Sequence, residues 1–304
     1  MIEVPSRNGH RPFNTWENPF EEGEDSSSRL NTFRTWQEYI DYLRWETPNV
    51  FRDGVDASLD CFRAVVEAQE LFFNPIHKDR NLPQGDGSFV GLFSGFLGNK
   101  LFYSLPIDNL RKLNWDAEVY PDGNGAHVRP TEQMIDPVVE YSRKKAKASG
   151  RKIHWIGHSK GGHVILAAAI LKTEELAESV DQIVIVDAPI PDRVNFQTGV
   201  TYLIAQTVFR GNDFKLARLG DDEEGLARIE ENFRLTTIKV ANGRIIDGLH
   251  VGSEENIFEV ESSHPGALHK SSSLRLVHTR LVRPISEDRE AREKIMQFPI
   301  NKAA

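Results

Sequence analysis

From Ser88 onward, short apolar runs alternate with longer segments whose apolar positions recur every three or four residues. The pattern predicts strands near Ser88 to Phe93, Ala117 to Tyr120, Lys152 to Ile156, Gln182 to Val186, Thr236 to Val240 and Ile257 to Val260. It predicts helices at Leu101 to Leu113, Thr131 to Ser149, Lys160 to Leu176 and Leu274 to Val282. Such alternation implies an α/β fold, a mostly parallel sheet with helices on both faces. Asn81-Leu82-Pro83-Gln84-Gly85-Asp86-Gly87 is dense in turn formers and marks the entry to the sheet.

Two stretches fall outside that alternation. Between about Thr35 and Phe73, helical spacing of Trp36, Tyr39, Ile40 and Leu43, then Leu59, Phe62, Val65, Val66, Ala68, Leu71 and Phe72, predicts two amphipathic helices. Their apolar stripe is expected to pack rather than to bind. The residues before them, including Glu21-Glu22-Gly23-Glu24-Asp25-Ser26-Ser27-Ser28, can bury little surface and read as a loose acidic arm. The expected division is therefore an arm plus N-terminal helical extension over 1–80 and an α/β domain over 81–304. Inside that domain, the span between Ala188 and Leu235 is too long for a plain crossover and carries Phe196, Tyr202, Leu203, Ile204, Val208, Phe209 and Phe214. Residues 189–235 leave two readings open: a helical cap over a site, or extra helices packed for stability.

Composition narrows the function classes. A chain of 304 residues with 39% hydrophobic content can bury a substantial core. A formal net charge of -8, with no long Lys/Arg run, argues against nucleic acid or an anionic membrane as the main partner. The single cysteine, Cys61, excludes an intramolecular disulfide framework and a Cys-based metal cluster; it fits a reducing cytoplasm and is expected to be a small buried apolar group. No apolar run reaches the roughly 18 residues of a transmembrane helix. Oligomeric state is not readable from the chain.

Chemistry enters at Lys152-Ile153-His154-Trp155-Ile156-Gly157-His158-Ser159-Lys160-Gly161-Gly162. An apolar strand runs into Gly-x-Ser-x-Gly, followed by a small-residue-rich helix from Gly162 to Leu171. A serine in a tight strand-to-helix turn leaves no room for side chains two positions before or after it, and glycine stands at both. Chance alone gives this pentad about 0.1 times in a chain of such composition, so the flanking strand and helix carry the weight. This is the form of the serine-nucleophile elbow of α/β-hydrolases.

A serine hydroxyl needs a histidine to take its proton and a carboxylate to orient that histidine. In the hydrolase chain order, Ser then acid then His, the histidines left are His250, His264, His269 and His278. His264 is favoured because Glu261-Ser262-Ser263-His264-Pro265-Gly266 follows the last strand and would present it at the carboxyl edge of the sheet. Asp247 is the favoured acid, at the end of the segment Thr236 to Gly248, and Asp187, closing the strand before, is its rival. Backbone N–H groups for the oxyanion are expected from Lys160 and from Phe96 or Leu97, in the loop after the first core strand. The Lys160 side chain is read either as an exposed lysine at a helix start or as positive potential near the developing charge.

Together, Gly85-Asp86-Gly87 leading to Ser94-Gly95-Phe96, Gly157 to Gly162, Asp247-Gly248 and Ser263-His264-Pro265-Gly266 resemble the lipase and esterase branch of the α/β-hydrolase superfamily, over about Leu82 to Pro284. Asp122-Gly123-Asn124-Gly125 also looks like a loop of the bacterial lipase-like members. The resemblance implies an α/β-hydrolase fold and a serine hydrolase acting on a small-molecule carboxylic ester or acyl substrate, with Ser159, Asp247 and His264 as triad and no metal or organic cofactor. Ser94 stands where many relatives have proline and Lys160 where they have a hydrophobic residue. A thioesterase, acyltransferase or cyclase would use the same triad, and a hydrolase fold without catalysis would serve as a binding module.

Overall fold

The computed structural model describes residues 58–95, 98, 100–121, 130–188, 223–241 and 251–282. Contacts divide the chain into two units, Met1–Pro48 and Asn49–Ala304, and all described residues belong to the second. Its strands are β1 (Phe89–Phe93), β2 (Asp116–Val119), β3 (Ile153–His158), β4 (Val180–Val186), β5 (Arg234–Ala241) and β6 (Ile257–Glu261). They form one parallel sheet in the order β2-β1-β3-β4-β5-β6. The helices are α1 (58–73), α2 (Ser104–Lys112), α3 (Glu132–Ser149), α4 (Lys160–Leu171), α5 (Thr173–Ala177), α6 (Glu223–Asn232) and α7 (Ser271–Val282).

The central strands β1 and β3 are buried along their whole length, which is why their sequences read as continuous apolar runs rather than as alternation. Successive side chains still point to opposite faces, so each strand feeds two cores. Phe89, Phe93, Trp155, Ile183 and Ile185 join one core with α3, α4 and α6. Val90, Leu92, Ile156, Val184 and Val186 join the other with Leu71 of α1, α2 and α7. The chain is thus α/β, with helices on both faces of a single sheet. Because β2 and β3 lie on opposite sides of β1, the connections after β1 and β3 diverge and open a crevice at their carboxyl ends, where a site in such a sheet is expected.

Several boundaries differ from the sequence-based expectations for local reasons. The expected helix Lys160 to Leu176 breaks at Lys172, whose φ of -132° and ψ of 33° are not helical; Thr173 Oγ1 then donates to the Ala169 carbonyl at 2.6 Å. A turn over residues 101–103 precedes α2, and Ser104 Oγ donates to the Leu101 carbonyl at 2.7 Å. Of the 189–235 segment, α6 is described, and its Ile229 joins the core beneath α4. The rest of that segment, 189–222, lies outside the described residues.

Helix α1 packs only part of its expected stripe, of which Trp36, Tyr39, Ile40 and Leu43 lie outside the described residues. Asp60, Ala64, Glu67 and Leu71 face inward, whereas Leu59, Phe62, Val65, Val66 and Phe72 are exposed. Cys61, expected buried, is exposed as well. The inward face is partly polar: the Glu67 carboxylate accepts hydrogen bonds from Ser262 and Ser263.

Candidate active site

Ser159 occupies the turn between β3 and α4 with φ 54° and ψ -128°. A side-chain-bearing residue held there costs on the order of 1–3 kcal/mol, which the surrounding bonds must offset. The Ser159 N–H donates to the Val186 carbonyl at 3.0 Å, and the Ser159 carbonyl accepts from the Gly162 N–H at 2.9 Å. Both flanking glycines are required by space. A Cβ on Gly161 would run into the Phe93 carbonyl, and one on Gly157 would lie 2.6 Å from the Gly162 Cα.

His264 lies in the loop between β6 and α7, with Nε2 3.0 Å from Ser159 Oγ and Nδ1 2.5 Å from Asp187 Oδ2. A carboxylate only accepts, so Nδ1 carries the proton and Nε2 is left to accept from the serine hydroxyl. Asp187 follows β4 directly and is the second strained residue, at φ 45°. Its N–H donates to the Ile238 carbonyl at 2.7 Å, and its Oδ1 accepts the Val240 N–H at 3.2 Å. With its side chain fully buried and Oδ2 given to His264, the carboxylate is fixed at both oxygens. The carboxylate on His264 is therefore that of Asp187, the rival; Asp247 lies outside the described residues.

Phe96 and Leu97 also lie outside the described residues. Gly95, just before them, lies against the nucleophile, for a Cβ on it would sit 3.2 Å from Ser159 Oγ. The Gly95 N–H donates to the Tyr103 hydroxyl at 3.1 Å and so is committed away from the serine. Lys160 follows the nucleophile as the first residue of α4, at the positive end of the helix dipole. Its side chain is fully buried, not exposed as at an ordinary helix start. It adds to the lowering of His163, which burial chiefly holds down to about 3.

Sequence reasoning missed a buried chain of hydrogen bonds behind this constellation. The Tyr103 hydroxyl accepts from Gly95 N–H, so its own proton goes to His158 Nδ1 at 2.6 Å, and His158 Nε2–H then donates to the His264 carbonyl at 2.8 Å. Every role in the chain is consistent with one neutral tautomer. Burial, with the nearby His264 second, holds His158 down to about 3, and burial pushes the Tyr103 phenol up. The loop after β1, the elbow and the histidine loop are thus tied together. The one sequence signal was His158 itself, a polar residue inside the elbow motif.

Sheet order, elbow, carboxylate after β4 and histidine after β6 together make this an α/β-hydrolase fold. No protein-family model matches the chain, and neither does any curated protein. Among solved structures it is similar to a metagenome-derived lipolytic enzyme, at 13% identity, TM-score 0.48, covering 66% of this chain and 93% of that one. It is likewise similar to a Bacillus licheniformis lipase in mature form, at 13% identity, TM-score 0.45, covering 67% and 95%. A third similar structure is the NocB thioesterase domain, at 16% identity, TM-score 0.43, covering 66% and 96%. Among the described residues, no helix is long and apolar enough to cross a membrane.

Proposed function

We propose that this chain is a serine hydrolase of small-molecule carboxylic esters, with Ser159 as nucleophile, His264 as general base and Asp187 as the acid that orients it. The observation that carries the reading is the continuous chain Ser159 Oγ, His264 Nε2, His264 Nδ1, Asp187 Oδ2, with contacts of 3.0 and 2.5 Å at the crevice of the sheet. As Ser159 Oγ bonds to the ester carbonyl carbon, its proton passes to His264 Nε2. Asp187 stabilises the imidazolium without taking the proton. The Lys160 N–H and a donor from the loop after β1 hold the oxyanion. Collapse breaks the carbon–alkoxy bond, and His264 gives its proton to the departing alcohol. Water, deprotonated by His264, then attacks the acyl carbon, and the acid leaves as Ser159 regains its proton.

Turnover of p-nitrophenyl esters of graded acyl length tests this. Ser159→Ala is expected to lower kcat by a factor on the order of 10⁶, as for triads whose members act as a unit. A loss below about tenfold is incompatible with an acyl-enzyme on Ser159.

A further inference from the structure

The loop that carries His264 is held from outside the sheet. Helix α1 lies before the first strand in sequence, yet Glu67 on it is buried against residues of the histidine loop almost two hundred positions away. Glu67 Oε1 accepts from Ser262 Oγ at 3.1 Å and from the Ser263 N–H at 3.0 Å, and Oε2 accepts from Ser263 Oγ at 2.6 Å. Ser263 Oγ in turn accepts the Gly266 N–H at 3.0 Å, so its hydroxyl proton is committed to Glu67. Ser262 and Ser263 are both buried, and Ser263 is bonded directly to His264. A Cβ on Gly266 would run into the Glu67 carboxylate, so the glycine makes room for this contact.

We infer that Glu67 is a positioning residue for the reaction. By clamping Ser262 and Ser263 it fixes the backbone from which His264 reaches Ser159, and α1 thereby serves the active site rather than only covering the sheet. The inference rests on the reading of Ser159 and His264 as nucleophile and base. On the other side, His158 Nε2–H holds the His264 carbonyl at 2.8 Å, so the histidine backbone is gripped by α1 and by the elbow. The imidazole must meet Asp187 and Ser159 at once, and a shift of about 1 Å in such a group can cost on the order of a hundredfold in rate.

The polarity of the clamp makes it testable. All its partners present donors, which a carboxylate accepts at both oxygens. The isosteric amide of Glu67→Gln must turn its NH₂ either toward the Ser263 N–H, which cannot accept, or toward Ser263 Oγ, which accepts it only by directing its own proton away from residue 67. Size and packing are kept while one hydrogen bond of the clamp is lost or reversed.

The experiment is the time course of phosphonylation of the full chain by a fluorophosphonate probe, with kcat and KM on a p-nitrophenyl ester and the melting temperature measured alongside. In Glu67→Gln, the rate constant of phosphonylation and kcat are expected to fall together by about tenfold to a hundredfold, with KM changed less than about twofold. Ser263→Ala, which removes the hydroxyl donor, is expected to move both rates in the same direction, and it carries the test if Glu67→Gln does not fold. A merely structural role predicts another pattern: a smaller labelled fraction and a lower melting temperature, with an unchanged rate constant at each labelled site. That pattern, or wild-type rates in the variant that folds, overturns the inference while leaving the triad standing. A wild-type chain that takes no adduct at Ser159 overturns the triad and, with it, the inference.

Discussion

The Asp187 carboxylate meets His264 Nδ1 at 2.5 Å from a backbone position at φ 45° just past β4. The Val240 N–H holds the other oxygen, so the side chain is fixed against His264. Asp187→Asn presents either an NH₂ or a weaker acceptor to Nδ1 and disfavours the productive tautomer. We expect kcat on an activated ester to fall by about 10⁴-fold with folding retained, and Asp247→Asn to stay within about tenfold of wild type. Steady-state kinetics of the two variants side by side check this.

The Tyr103–His158 bond predicts a stability effect. Tyr103→Phe leaves the Gly95 N–H without its acceptor and His158 Nδ1 without its donor, both in a buried setting. The expected loss is about 1–3 kcal/mol, read as a lower urea midpoint with an unchanged slope. An unaltered midpoint would show that the relay contributes nothing.

Gly161 predicts the largest destabilisation. The Cβ of Gly161→Ala would overlap the Phe93 carbonyl and crowd that of Ser94, all of it backbone beneath the nucleophile. Relief requires β1 or α4 to move, so a loss of about 3 kcal/mol or more in chemical denaturation is expected, or failure to fold. A well-folded, fully active Gly161→Ala protein would contradict the elbow geometry.

Buried histidines predict acid lability. Burial holds His158 and His163 down to about 3 and His154 down to about 4, and it lowers His269 and His278. The unfolded chain binds these protons near the ordinary value of about 6.5, so between there and pH ~4 it carries more protons than the native state. Stability is fully present above about pH 6.5 and declines below it, by up to ~1.4 kcal/mol per pH unit for each such histidine. Urea midpoints at pH 7, 6 and 5 should fall progressively. A flat profile would mean that these rings are solvated.

Much of the molecule was legible from local pattern. The six strands follow from apolar runs, and Ser159 follows from glycines whose absence of a side chain is forced by backbone contact. His264 could be chosen because it sits in the loop after the last strand. The carboxylate that meets His264 was not legible in the same way. Asp187 and Asp247 both close strand-like segments, and what marks Asp187, its contact with Val240 and its positive φ, exists only once β4 and β5 pair. The inward face of α1 was hidden for a related reason. Its apolar stripe pointed to Leu59, Phe62 and Val66, but the partners of Glu67 lie almost two hundred residues away, beyond the reach of any local periodicity. Tyr103 and His158 belong to the same class of long-range polar pairing.

The central claim is that Ser159 is made nucleophilic by His264. Its most direct measurement is peptide mapping by mass spectrometry after fluorophosphonate treatment of the wild-type chain and of His264→Ala. The account predicts a single adduct on Ser159 in the wild type and slowing of its formation by several orders of magnitude in the variant. An adduct on another residue, or equal labelling of Ser159 with and without the His264 imidazole, would contradict it.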